Sequence, residues 1–214
     1  MKSIRRLIGL VFLSFASIAQ AAALNASSLK LSVYSVMLST SPLCTSPVTI
    51  FNSATPVEVD FLATPTLGSG NPLDGTYNCV IIKMSDLIKY KPSTTSGTCS
   101  GATEYVADVC RSDNGGATLA PDATGSPTAC TGTNSTASAD AVFMYLTTNT
   151  GAGTGGNTFL QPGATSSTNG LNLAAPLVIS GTARSKFVVN ANGKVDDTQS
   201  PCGMNPPVFG FQKL

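Results

Sequence analysis

The chain has no histidine and no tryptophan, and only 11% of its 214 residues are charged. Without His, neither a Ser-His-Asp triad nor a Cys-His pair can be assembled. Zinc sites usually combine His with closely paired cysteines. Here the nearest pair, Cys99 and Cys110, is eleven residues apart. The G-x-S-x-G elbow, the H-E-x-x-H helix and the Walker loop are also missing. Without Trp, a sugar-stacking face lacks its usual platform, so Tyr77, Tyr90, Tyr105 and Tyr145 read as core or edge packing. The charged fraction falls well below the usual quarter. Disordered chains combine low hydrophobicity with high net charge. This one is 42% hydrophobic and nearly neutral, so a packed core is expected.

The N-terminus reads as a cleavable export signal. Lys2, Arg5 and Arg6 form a basic start, Leu7–Ile18 is almost wholly apolar, and Ala19-Gln20-Ala21 supplies small residues for a signal peptidase. Cleavage is expected after Ala21, with Ala23 as second choice. The apolar run is short for a membrane span. No cysteine lies near the cleavage site to carry a lipid, and the residues around Arg5-Arg6 fit a twin-arginine signal poorly. Residues 1–21 are therefore the signal and 22–214 one domain. Its removal leaves 9 basic and 11 acidic residues, a net of 9 − 11 = −2. No basic patch survives for nucleic acid, and no later stretch would anchor the mature chain in a bilayer. The expected location is outside the bacterial cytoplasm: periplasm, outer surface or medium.

All six cysteines lie after the signal. An even number in an exported chain predicts up to three disulfides. The expected pairs are a local Cys99–Cys110 bridge, then Cys44–Cys79 and Cys130–Cys202.

The mature chain alternates short apolar runs with turn-forming segments. Leu29–Val33 alternates in and out, slips at Ser35, and resumes at Val36 and Leu38, which predicts a bulge. Val48–Phe51 and Val57–Phe61 follow. Thr76–Met84 has a continuous apolar centre and predicts a strand covered on both faces. Further strands are expected at 87–91, 104–109, 141–146, 176–180 and 186–190, and over Val208–Phe211. Ala191-Asn192-Gly193 predicts a hairpin joining 186–190 to the residues after Lys194. Residues 111–138, bounded by Cys110 and Cys130, and residues 147–170 read as long Gly/Ser/Thr-rich loops. No window keeps a 3.6-residue period. The expected fold is all-β: a single antiparallel sandwich of the immunoglobulin or transthyretin type with long loops.

Leu31-Ser32-Val33, Val59-Asp60-Phe61-Leu62, Asp74-Gly75-Thr76-Tyr77 leading into Val80–Lys83, Ser185–Val189 and Pro206-Pro207-Val208 together resemble a family of exported bacterial domains of unknown function, often lipoproteins. The likeness spans roughly half of the mature chain. It implies an envelope location and a sandwich, and no activity. The chain departs from that family in lacking a lipid-carrying Cys and in having six others.

The remaining chemistry is sparse. Ser27-Ser28-Leu29-Lys30 matches S-x-x-K, but a catalytic lysine should be desolvated, and this one enters a strand at the mature N-terminus. Asp113-Asn114-Gly115 and Asn190/Asn192/Asp196/Asp197 would offer oxygens to calcium, yet both read first as turns. Glu58 and Asp60 share one strand face. The chain is therefore read as a non-enzyme without cofactor or metal site, an envelope or surface module with a protein or cell-surface partner. The alternatives are a fimbrial subunit or adhesin, and a hydrolase using carboxylates alone.

Overall fold

The computed structural model describes residues 23–63, 72–111, 120–121, 127–128, 130–133, 139–181 and 185–213. The expected signal with its cleavage at Ala21, and the turn expected at Asp113-Asn114-Gly115, lie outside them. Within them the fold is all-β, with no helix. In chain order the strands are β1 (Ala23–Leu24), β2 (Ala26–Ser39), β3 (Val48–Asp60), β4 (Gly75–Tyr77), β5 (Cys79–Ser85), β6 (Leu87–Pro92), β7 (Tyr105–Asp108) and β8 (Ala120–Pro121). Then come β9 (Pro127–Thr128), β10 (Ala141–Thr147), β11 (Leu171–Asn172), β12 (Leu177–Ile179), β13 (Ser185–Asn190), β14 (Val195–Asp196), β15 (Gly203–Met204) and β16 (Val208–Lys213).

A curled sheet of seven strands organises the molecule, with β2 as its spine. One edge of β2 carries β3; the other carries β5 along its second half and β6 along its first. β5 and β6 therefore form one row, broken only at Asp86. On the far side of that row β10 pairs with β5 and β7 with β6, both antiparallel. β7 and β10 run in the same direction, so they are two halves of one interrupted strand. The chain leaves this strand row after Asp108 and rejoins it at Ala141, on either side of the break. Smaller sheets, β12–β4, β13–β16 and β1–β14–β15, add Tyr77, Leu177, Phe187, Val189, Phe209 and Val195 to the same core. The pairing is mixed: β11 lies parallel to β10, so a purely antiparallel sheet is not what forms.

Strand alternation explains the core. Val80, Ile82 and Met84 of β5, with Val142, Met144 and Leu146 of β10, face the main cluster. Ile81, Phe143 and Tyr145 face a second, smaller cluster around the Cys44–Cys79 bridge. This is the two-sided burial that the apolar centre of β5 predicted. The predicted bulge also forms: the register of β2 shifts between Val33 and Ser35 against both neighbours. With Tyr34 as the extra residue, Leu29, Leu31 and Val33 and then Val36 and Leu38 all reach one core.

Two expectations are corrected. First, β13 pairs with β16, and β14 pairs with β1 and β15. The Asn192-Gly193 turn exists, with Gly193 at φ 64°, but the strand that follows diverges to cover a different edge. Second, Cys99 bonds Cys202 and Cys110 bonds Cys130; only Cys44–Cys79 forms as expected among the three pairs. Cys99 and Cys110 sit beyond opposite ends of the extended β7, and a strand at about 3.3 Å per residue keeps them too far apart to bridge. The Cys99 turn instead packs on β14, where the Thr98 amide donates to the Asp197 carbonyl at 2.9 Å. Residues 148–170 form a loop without strand or helix, as expected, and the loop is packed: Phe159 enters the main core, and the Asn149 amide group donates to the carbonyls of Ala164 and Ser167.

Candidate functional site

The interruption of the strand row concentrates the unusual chemistry. Asp86 is the residue at the break, and it is fully buried. Its backbone serves both arms of the excursion. The Asp86 carbonyl accepts from the Val109 amide at 3.2 Å, and the Asp86 amide donates to the Asp140 carbonyl at 3.0 Å. Its side chain adds a third link, Oδ1 accepting from the Asp140 amide at 2.7 Å. No donor reaches Oδ2.

Two further carboxyls, those of Asp108 and Asp140, are close enough to bear on that of Asp86 electrostatically. Burial is the main cause that pushes the Asp86 carboxyl up to about 7, and the negative charges of Asp108 and Asp140 add to it. The Asp140 amide pulls in the other direction. Asp108 Oδ1 also accepts from the Cys110 amide at 3.2 Å. Asp140 accepts from the Thr131 amide at 2.7 Å and from its hydroxyl at 2.9 Å. The Cys110–Cys130 bridge closes the same root.

Two chemistries can be weighed there. Ligand atoms of Asp86, Cys110 and Asp140 lie within 4.8 Å of one another. Cys110 is oxidised, however, and a disulfide sulfur is no thiolate ligand, so only two carboxylates remain. Neighbouring carboxyls are the arrangement acid proteases use, but Asp86 has no exposed surface through which a substrate would reach it.

The residues singled out from sequence are engaged elsewhere. The Ser27 hydroxyl donates to the Lys91 and Pro92 carbonyls, while the Lys30 ammonium pairs with Glu104 at 2.7 Å and Glu58 at 3.8 Å; no dyad forms. Its bond to Glu104 raises the Lys30 pKa. Glu58 pairs with Lys89 at 2.6 Å, which lowers its own. Asp60 Oδ1 accepts from the Leu29 and Leu62 amides, so it shapes a turn. Asn190 and Asp196 cap their own turns through the Asn192 and Thr198 amides, and Asp197 accepts from the Ser96 hydroxyl. The Thr198 bonds hold Asp196 below the usual carboxylate range. Tyr77, Tyr90 and Tyr145 are buried. Tyr90 stacks on Tyr105 at 5.8 Å and donates to the Cys202 carbonyl, and burial pushes its hydroxyl up to about 12.

Asp86 itself is missed by sequence reading. The available signal is a lone carboxylate between two apolar strand runs, Val80–Met84 and Leu87–Ile88. Comparison with protein-family models, curated proteins and solved structures finds no match for the chain.

Proposed function

We propose that the protein is an exported, non-enzymatic β-sandwich of the bacterial envelope or surface, acting as a binding or structural module. The observation that carries this reading is the oxidation of all six cysteines into three buried bridges, with no free thiol. Disulfides persist outside the reducing cytoplasm. The resemblance to exported envelope domains points the same way. Side chains that would serve catalysis are spent on turns, caps and ion pairs, and Asp86, the carboxyl with a raised pKa, is sealed from solvent.

The fimbrial alternative has less support. Strand donation needs a free arm and an accepting edge. Cleavage after Ala21 leaves a single residue ahead of β1, which already pairs with β14. The outer edge of β3 carries Pro56 and the charged Glu58, devices that discourage strand addition.

Expression with the native leader, followed by fractionation and intact-mass measurement, tests the proposal. The expected product lies outside the cytoplasm, lacks residues 1–21, and is six hydrogens lighter than the reduced chain. An uncleaved, reduced product in the cytoplasm would overturn it.

A further inference from the structure

The sequence holds three Asn-Gly pairs, beginning at Asn114, Asn169 and Asn192; the first lies outside the described residues. In such a pair the backbone nitrogen of glycine, with no Cβ to shield it, is open to attack the side-chain amide before it. The fold treats the two described pairs differently. Asn169 is half-buried and held at both ends of its side chain: Oδ1 accepts from the Asn157 amide at 3.2 Å, and Nδ2 donates to the Gln161 carbonyl at 3.5 Å. Gly170 is buried, and its amide donates to the Asn157 carbonyl at 2.9 Å. Asn192 is exposed. Its backbone amide donates to Asn190 Oδ1, but its side chain has no hydrogen-bond partner among the described residues. A single bond restrains the nitrogen that would attack it: the Gly193 amide donates to Asn25 Oδ1 at 2.9 Å. Asn25 is itself exposed and follows β1, which pairs with β14 through Ala23 and Leu24 alone. So short a pairing opens locally at small cost.

We infer that Asn192 is a site of spontaneous conversion to aspartate and isoaspartate, with Asn25 as the clamp that sets its rate. The Gly193 nitrogen gives its proton to solvent and attacks Cγ of Asn192, closing a succinimide ring. The bond from Cγ to Nδ2 breaks, and ammonia leaves with a proton taken from solvent. Water then opens the ring at either carbonyl, giving aspartate or isoaspartate. The sum is one asparagine and one water to one acid and one ammonia, with no change of oxidation state. Conversion adds a negative charge to the turn between β13 and β14, ahead of Asp196 and Asp197 in the chain. Isoaspartate also lengthens the backbone of that turn by one carbon.

Incubation of the oxidised protein in mildly alkaline buffer tests this, with peptide mapping by mass spectrometry and isoaspartate-specific methylation as readouts. In the reduced, unfolded chain Asn169 and Asn192 should convert at similar rates, since each precedes glycine. In the folded protein Asn192 should convert at least about tenfold faster, because Asn169 has three bonds to break where Asn192 has one. Asn25→Ala should speed Asn192 by about two- to tenfold, the effect of one lost hydrogen bond, and leave Asn169 unchanged. Asn25→Asp, which keeps the accepting oxygen, should not speed it. Asn169 converting as fast as Asn192 in the folded protein would overturn the inference. So would an Asn25→Ala variant that leaves Asn192 unchanged or speeds both sites alike.

Discussion

At Gly97 the backbone has a φ of +52°, and an added Cβ would lie 2.3 Å from the Asp197 carbonyl oxygen. That oxygen already accepts from the Thr98 amide and hydroxyl, so it cannot withdraw without breaking the contact between the Cys99 turn and β14. Gly97→Ala should therefore destabilise the oxidised protein by about 2–4 kcal/mol, combining left-handed strain with steric overlap. Urea unfolding followed by tyrosine fluorescence measures this. Tyrosine roles were legible from sequence, because the missing Trp and His leave them little to do but pack. Asp86 was not. Its partners stand 22 and 54 residues away in the chain, and only the sheet brings them together.

The long strand β2 shows what a periodic pattern carries and where it stops. Apolar residues at 29, 31 and 33 and then at 36 and 38 announce one extra residue, and the register shift is found there. Inserting one residue between Leu31 and Ser32 would turn Leu29 and Leu31 to the face opposite Val33, Val36 and Leu38. Each such side chain contributes about 1.5–3 kcal/mol by burial, and β2 touches three neighbours. The insertion should abolish a cooperative unfolding transition by circular dichroism, whereas deletion of Gly163, which has open space around it, should leave one intact. Existence and two-sided burial of strands were legible because they follow from local alternation. Partners were not: the Asn192-Gly193 turn forms, yet β13 finds β16 across seventeen intervening residues. The failure of the expected Cys99–Cys110 pair has the same origin, since spacing along the chain ignores the extended strand between them.

The three bridges span the whole molecule unequally, closing 103, 35 and 20 residues for Cys99–Cys202, Cys44–Cys79 and Cys110–Cys130. Restriction of the unfolded chain gives stabilisations of about 5, 4 and 3 kcal/mol in that order. Paired Cys→Ser variants should lose stability in the same rank, read as urea midpoints at fixed pH. Sparse charge reinforces the point: the Lys30–Glu58–Lys89–Glu104 group is surface-exposed, and exposed ion pairs contribute little. The interrupted strand has a different consequence. Departure and return meet at a single residue and are closed again by the Cys110–Cys130 bridge. The root is thus a natural host site: a guest domain with neighbouring termini, spliced in place of residues 112–129 so that the bridge is kept, would ride on the sheet as cargo while β7 and β10 kept their register.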